Sequence, residues 1–177
     1  FHGLIHEYFK WARYLSRHSL YRDQSLKELT FPFPYRKGQK ELAVAVYRSI
    51  ARRRNLFIQA PTGIGKTLSV VFPALKAVGE GLGDKIFYLT ARTITRKVAE
   101  ETFELLREKG LYFSHVTITA KEKLCFLEKP ECNPDACPWA KGHYDRVGDG
   151  VFAVIHEHQG ITRELILEYA RKYQICP

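Results

Sequence analysis

The sequence predicts an α/β fold, in which a parallel sheet flanked by helices is followed by a smaller, mostly helical region. Two observations support this prediction. Short apolar segments alternate with stretches of helical periodicity over the first two thirds of the chain, and that alternation is typical of parallel sheets covered by helices. All four cysteines lie after Ala120, which indicates a second region of different character.

Five segments have apolar residues at the spacing of an amphipathic helix. The segment Phe31–Pro34 separates the first two, because its prolines cannot continue a helix. Gly79 and Gly81 are expected to end the third. The predicted helices cover, in order, residues 4–15, 39–53, 70–78, 93–109 and 161–172.

Three short apolar segments are predicted to be strands of the parallel sheet. They are Asn55–Ala60, Lys85–Thr90 and His115–Ala120. Each is too short for a helix and is followed or preceded by helical periodicity. We therefore expect strand and helix to alternate between residues 55 and 120.

The chain is basic, with a formal net charge of +9 and a pI of about 9.4. Up to Ala120 there are 20 Lys and Arg against 10 Asp and Glu, whereas the rest has 8 against 9. A basic surface favours a polyanionic partner such as DNA, although charge that serves only solubility explains the composition equally well. The sequence has no signal peptide and no long apolar stretch, so we expect a cytoplasmic protein without a membrane partner.

The segment APTGIGKT, Ala60–Thr67, predicts a phosphate-binding loop between an apolar strand and an apolar helix. Gly63 and Gly65 allow the backbone N–H groups to face phosphates, and the helix adds its positive end. Lys66 would reach the outer phosphates and Thr67 would hold Mg²⁺, so these two are the candidate catalytic residues. The predicted ATP-binding residues of the loop are Pro61, Thr62, Gly63, Ile64, Gly65, Lys66 and Thr67.

With this loop the chain resembles the superfamily 2 helicases, whose first motif reads much like APTGIGKT. The segment YRKGQKEL, Tyr35–Leu42, is similar to their adenine-reading segment. The resemblance implies that Gln39 contacts adenine and that Arg36 supports it. The alternative is that this segment is an ordinary solvated helix start.

A further segment, YLTARTITRKVAEE or Tyr88–Glu101, is similar to the next helicase motif. The resemblance implies that Thr90, Arg92 and Thr93 contact the DNA backbone, and their side chains have the donors for phosphate contacts. A solvated helix start is again the alternative.

The cysteines Cys125, Cys132, Cys137 and Cys176 are separated by 6, 4 and 38 residues. Disulfides are disfavoured because a phosphate loop without a secretory signal indicates a reducing compartment. The spacing leaves three alternatives open, namely iron–sulfur ligation, structural zinc and buried free thiols. His156 and His158 are weaker candidates for metal ligands.

The stretch KEKLCFLEKPECNPDACPWAKGHYDR resembles bacterial DinG-type members of the XPD and DinG branch of superfamily 2. The resemblance implies that the four cysteines hold one [4Fe–4S] cluster in a domain inserted into a partial RecA-like motor domain. The expected organisation is a leading helix or linker at residues 1–30, the first part of the motor domain at 31–120, and the iron–sulfur domain at 121–177.

The function implied by the resemblance is an ATP-dependent DNA helicase that moves 5′ to 3′ on single-stranded or forked DNA. Phe126, Trp139 and Tyr144 are candidates for stacking on bases, with packing around the cluster as the alternative. Two other functions remain open, a zinc-stabilised nucleic-acid-binding module with a nucleotide site and a P-loop kinase.

No acidic DEAH-like motif follows Lys66 on an apolar strand. The chain also begins with Phe1 and ends with Pro177, which is typical of a fragment. We therefore expect a second motor domain elsewhere in the complete protein, and we expect the 177-residue chain alone to lack ATPase and unwinding activity.

Overall fold

A computed structural model describes residues 1–61 and 63–177 of the chain. The chain is divided into two compact units. Residues 15–112 form one, called here the phosphate-loop unit. Residues 1–14 and 113–177 form the other, called here the cysteine unit. No helix among the described residues combines the length and apolarity that crossing a membrane requires.

Six α-helices and two short strands make up the regular structure of the described residues. The helices are α1 (His2–Glu28), α2 (Gln39–Ala51), α3 (Lys66–Gly79), α4 (Thr93–Glu108), α5 (His143–Glu157) and α6 (Arg163–Tyr173). The strands are β1 (His115–Val116) and β2 (Gly160–Ile161), and a short 3₁₀ helix covers Lys121–Lys123. All five predicted helices are present, although α1 is much longer than the predicted segment. Helix α5 was not predicted.

The predicted strands are largely wrong. Segments 55–60 and 85–90 form no strand, and only the first two residues of 115–120 do. Those two pair in parallel with β2, with His115 opposite Gly160 and Val116 opposite Ile161. A strand requires a neighbouring backbone. The other two segments have no strand partner within residues 1–61 and 63–177, and their apolar side chains are mostly exposed, as in Phe57 at 94% and Leu89 at 88%.

The core of the phosphate-loop unit is formed mainly where α2 packs against α3. Leu26 of α1, Leu75 of α3 and Leu106 of α4 are fully buried in this unit. The end of α1 lies close to α3, because a Cβ at Gly79 would stand 2.7 Å from the Leu26 Cβ. Lys76 of α3 donates to the carbonyl oxygens of Leu26 and Lys27 at 2.9 and 2.8 Å. It thereby satisfies acceptors that the end of α1 leaves without helical partners.

The cysteine unit is built around α5. Its core contains Val154 of α5, Ile161 of β2 and Tyr169 of α6. The first half of α1 also belongs to this unit, since Trp11 contacts the Phe152 ring at a centroid distance of 5.1 Å. These contacts join α1, α5 and α6 through apolar and aromatic side chains, which is the dominant stabilising contribution in a domain of this size.

A polar contact joins α5 to α6. The Tyr169 hydroxyl donates to the Glu157 carboxylate, and the His158 Nε2 lies 3.0 Å from the same hydroxyl oxygen. The hydrogen bond from Tyr169 lowers the pKa of Glu157. The same bond raises the pKa of Tyr169 to about 12. Helix contact is therefore favoured when Glu157 is ionised and Tyr169 is neutral.

Replacing Tyr169 with Phe is expected to lower the thermal midpoint of the cysteine unit by a few degrees at neutral pH. The hydrogen bond lowers the pKa of Glu157 in the folded chain. It therefore stabilises the fold fully at pH values above the ordinary pKa of a glutamate. This stabilisation is lost as the pH falls through the lowered pKa of Glu157. The difference between Tyr169→Phe and the unmodified chain should therefore disappear in acid. A difference that is equally large in acid, measured by circular dichroism, would show that only packing has changed.

Candidate functional site

The phosphate-binding loop lies in the phosphate-loop unit and runs directly into α3. Gly63 and Gly65 have φ angles of 83° and 79°, a left-handed conformation that glycine adopts without steric cost. Gly65 is also the residue before the first turn of α3, and Lys66 begins that helix. The free N–H groups and the positive end of α3 therefore lie at the loop. Thr62 is outside the described residues.

The two candidate catalytic side chains are at the start of α3. The Lys66 ammonium donates to the carbonyl oxygens of Ala60 and Pro61 at 3.1 and 2.8 Å and is exposed. Thr67 follows it in the first turn and is half-buried. Binding of an outer phosphate by Lys66 would exchange contacts with two neutral carbonyl oxygens for a contact with an oppositely charged group, which is stronger.

The predicted adenine-reading residues contact the phosphate loop itself. Gln39 is 5% exposed. Its Nε2 donates to the Ile64 carbonyl at 2.6 Å, and its Oε1 accepts from the Arg36 N–H at 2.8 Å. The Arg36 guanidinium donates to the Gly63 carbonyl at 3.0 Å. The structure thus brings together residues separated by more than twenty positions in the sequence.

The predicted DNA-backbone residues lie at the start of α4. Thr90, Arg92 and Thr93 are exposed. The Thr90 hydroxyl accepts from the Arg92 N–H at 3.2 Å, and no side chain caps the first turn of α4. An exposed, uncapped helix start offers free N–H groups and a positive dipole end to an anion.

The four cysteines lie in the cysteine unit as free thiols. Cys137 is buried, Cys125 and Cys176 are half-buried, and Cys132 is exposed. The Cys125 N–H donates to the Lys121 carbonyl at 3.0 Å. The Cys137 N–H donates to the Asn133 carbonyl at 2.9 Å. The Cys176 N–H donates to Nδ1 of His143 at 3.2 Å. Three of the four cysteines are therefore fixed by hydrogen bonds that their backbone N–H groups donate.

The thiols are close enough to influence one another electrostatically. Burial raises the pKa of the Cys176 thiol, and Cys132, Cys137 and Cys125 each raise it further. A hydrogen bond to Cys132 is the main cause of a raised pKa at Lys121, with Cys176 and Cys125 contributing. The Lys121 ammonium acts in the opposite direction and lowers the pKa of Cys176, but burial is the largest influence and the net shift is upward.

The donor set fits an iron–sulfur cluster or zinc in number and in chemistry, since both require up to four thiolates. In the described part of the chain, however, no three His, Cys, Asp or Glu side chains are close enough to hold a metal ion. Ligation would therefore require the cysteine-bearing segments to move closer together.

The three aromatic residues that were predicted to stack on bases differ in their contacts and exposure. Phe126 and Trp139 contact each other at a centroid distance of 4.5 Å, and the Arg171 guanidinium lies 4.7 Å from the Phe126 ring. Both rings are half-buried, whereas Tyr144 is 90% exposed. Tyr144 is thus the one of the three candidates that is free to stack on a base.

Neither His156 nor His158 is grouped with the thiols. His156 stacks on Phe152 at a centroid distance of 5.6 Å, and His158 contacts Tyr169. The structure instead brings Lys121, His143 and Arg146 to the cysteine-bearing segments. These three residues lie within the stretch that resembles DinG-type members, but the resemblance gave them no role. His143 and Arg146 contact backbone atoms, which leave no pattern in the side chains.

Replacing Gly65 with Ala is expected to weaken nucleotide binding and to lower stability. An L-residue in the left-handed region costs about 1–2 kcal/mol, and the new Cβ would also stand 2.6 Å from the Gln39 Nε2. Gly81 is a matched control, since its φ is 74° and a Cβ there meets nothing within 4 Å. Gly81→Ala should lower stability alone. Equal nucleotide affinity for both variants, measured by calorimetry, would contradict this account of the loop.

Comparison with known proteins shows the family of the chain. Residues 37–130, more than half of the chain, match the DEAD/DEAH box helicase family. A probable ATP-dependent helicase of Methanocaldococcus jannaschii is 48% identical over 46 residues, which are 25% of this chain and 7% of the relative. The match thus spans a small fraction of that relative's length. No solved structure matches the chain. The chain belongs to the DEAD/DEAH box helicase family.

Proposed function

We propose that the complete protein is an ATP-dependent DNA helicase of the XPD and DinG type, and that this chain supplies its ATP-binding loop and its iron–sulfur domain. The observation that carries the proposal is the contact of Gln39 and Arg36 with the backbone of the phosphate loop. It supports the proposal because it joins two segments that each resemble a helicase motif and that lie more than twenty positions apart in the sequence.

In the proposed mechanism the loop N–H groups and Lys66 bind the phosphates of ATP, and Thr67 holds Mg²⁺. Pro61, Thr62, Gly63, Ile64 and Gly65 complete the binding loop. Gln39 is the proposed adenine contact. Because its amide already bridges Arg36 and Ile64, adenine binding would act directly on the shape of the loop.

The proposed DNA contact is the start of α4. The Thr90 and Thr93 hydroxyls and the Arg92 guanidinium would bind backbone phosphates, and the free N–H groups of the helix start would add to them. These contacts do not read base sequence, which suits a motor that moves along any strand. The 5′ to 3′ direction is the one that the resemblance implies.

Hydrolysis requires an acidic residue that positions Mg²⁺ and water, and arginines that stabilise the transferred phosphate. We propose that both lie outside this chain, the arginines in a second motor domain of the complete protein. The 177-residue chain alone is expected to bind ATP without DNA-stimulated turnover.

The proposed cluster ligands are Cys125, Cys132, Cys137 and Cys176. A bound [4Fe–4S] cluster would crosslink the segments that bear them into one rigid body. The exposed Tyr144 would then lie on a fixed support at the surface of the cysteine unit, where it could stack on a base of the separated strand.

The nucleotide assignment predicts that Lys66→Ala weakens ATP binding and leaves the fold intact. A hydrogen bond to a charged group contributes about 1.5–3 kcal/mol, so affinity should fall roughly 10- to 150-fold. Lys27 is a suitable control because it is exposed and lies in α1. Lys27→Ala should bind ATP as the unmodified chain does. Unchanged affinity in folded Lys66→Ala, by calorimetry, would overturn the assignment.

The cluster assignment predicts that the anaerobically purified chain is brown and contains iron and acid-labile sulfide. Cys176→Ser should lose more than half of both, because a ligand is removed. Gln174→Gly is the control, since it alters the same turn at a positive φ of 53° without removing a thiol, and it should keep its iron. A colourless chain that contains zinc would favour the zinc-stabilised alternative. Full iron in Cys176→Ser would exclude that residue as a ligand.

A further inference from the structure

The chain reverses direction at the end of α6, shortly before Cys176. Tyr173 is the last residue of α6, and Gln174 adopts a left-handed φ of 53°. A helix end of this kind leaves several carbonyl groups without helical partners. What satisfies these carbonyls therefore determines where Cys176 is held.

A single side chain, Arg146 of α5, satisfies two of them. Its Nε donates to the Tyr173 carbonyl at 3.2 Å, and its terminal nitrogen Nη2 donates to the Gln174 carbonyl at 2.6 Å. The same nitrogen donates to the Lys141 carbonyl at 2.7 Å. One guanidinium thus joins three carbonyl groups from two segments that are 32 residues or more apart.

These two segments carry two of the four cysteines. Gln174 lies two residues before Cys176, and Lys141 lies four residues after Cys137. Two residues of extended chain span at most about 7 Å. Fixing the Gln174 carbonyl therefore restricts Cys176 to a small volume, on the same support that holds the segment after Cys137.

The face of α5 that bears Arg146 contacts the segment from Tyr173 to Cys176. The Cys176 N–H donates to Nδ1 of His143, one turn before Arg146. One turn after Arg146, a Cβ at Gly150 would stand 2.8 Å from Ile175 Cδ1, so only glycine allows Ile175 to approach this closely. Contacts on three successive turns of α5 thus hold the segment from Tyr173 to Cys176.

We infer that Arg146 is the positioning residue for Cys176, fixing that segment to the one that follows Cys137, so that only the remaining cysteine-bearing segments must move for a single metal group to bind all four thiols. The inference rests on the proposed cluster and adds to it the residue that assembles the ligand set. Arginine suits this role because its planar fork of five donors reaches several acceptors at once, whereas lysine has one flexible ammonium.

The alternative is that Arg146 only stabilises the cysteine unit as a whole. Both roles predict lower thermal stability when Arg146 is replaced, so stability cannot separate them. They differ in what happens to the thiols. A general stabilising role affects the four cysteines alike, whereas a positioning role affects Cys176 selectively.

The test compares Arg146→Lys with Arg163→Lys in the 177-residue chain. Arg163 is matched because it also donates to a backbone carbonyl of the cysteine unit, that of Lys123 at 2.8 Å, and both changes keep the positive charge. The first measurement is the rate at which an iron chelator removes iron from the brown chain. The second is the alkylation rate of each cysteine, resolved by mass spectrometry, in the iron-free chain.

Arg146→Lys is expected to release iron at least about tenfold faster and to raise alkylation of Cys176 by a similar factor, since one ammonium cannot replace all three hydrogen bonds and the loss of a single charged one corresponds to about tenfold. Arg163→Lys should leave Cys176 unchanged. Unchanged rates in Arg146→Lys, or an equal rise at all four thiols, would overturn the inference. If the unmodified chain binds no iron, the cluster proposal fails, and the alkylation of Cys176 still decides the role of Arg146.

Discussion

A loop that turns its N–H groups towards phosphates must turn its carbonyl groups elsewhere, and those carbonyls need donors. In this chain two of the donors come from an upstream segment. Arg36 donates to the Gly63 carbonyl and Gln39 donates to the Ile64 carbonyl. A third donor, Ser69, lies one turn into α3 and donates to the Gly65 carbonyl at 3.1 Å. The shape of the proposed ATP site therefore depends on the upstream segment as well as on the loop and its helix.

The same constraint recurs where helices end. Lys76 donates to the carbonyls at the end of α1, and Arg146 donates to those at the end of α6. In each case a cation on one helix satisfies the carbonyls that another helix leaves free, and the negative end of the helix dipole adds to the attraction. These contacts determine where the next segment begins. One precedes the segment Tyr35–Leu42 and the other precedes Cys176.

The sequence predicted what depends on local pattern. Helices α2, α3, α4 and α6 were predicted because their apolar residues recur at helical spacing, and the phosphate loop was predicted from its glycines and lysine. Helix α5 was missed because Gly148 and Gly150 lower its helix propensity. The structure gives a reason for Gly150, which lies against Ile175.

The strands were not predictable from local pattern, because strand formation depends on a partner that is distant in sequence. Segment 115–120 has such a partner only for His115 and Val116. The hydrogen bonds from Gln39 and Arg146 to backbone carbonyls were not predictable for the same reason, since those carbonyls are distant in the sequence. Any residue can offer a carbonyl, so no pattern of side chains records which one is bound.

The most direct test of the ATP-binding account is amide hydrogen exchange across the phosphate loop, with and without ATP and Mg²⁺. If the loop N–H groups bind phosphates, exchange in peptides that cover residues 60–69 should slow strongly on addition of ATP, and exchange in the segment from Tyr35 to Leu42 should slow with it. Exchange in α6 should not change. Equal exchange in the loop with and without saturating ATP would contradict the account.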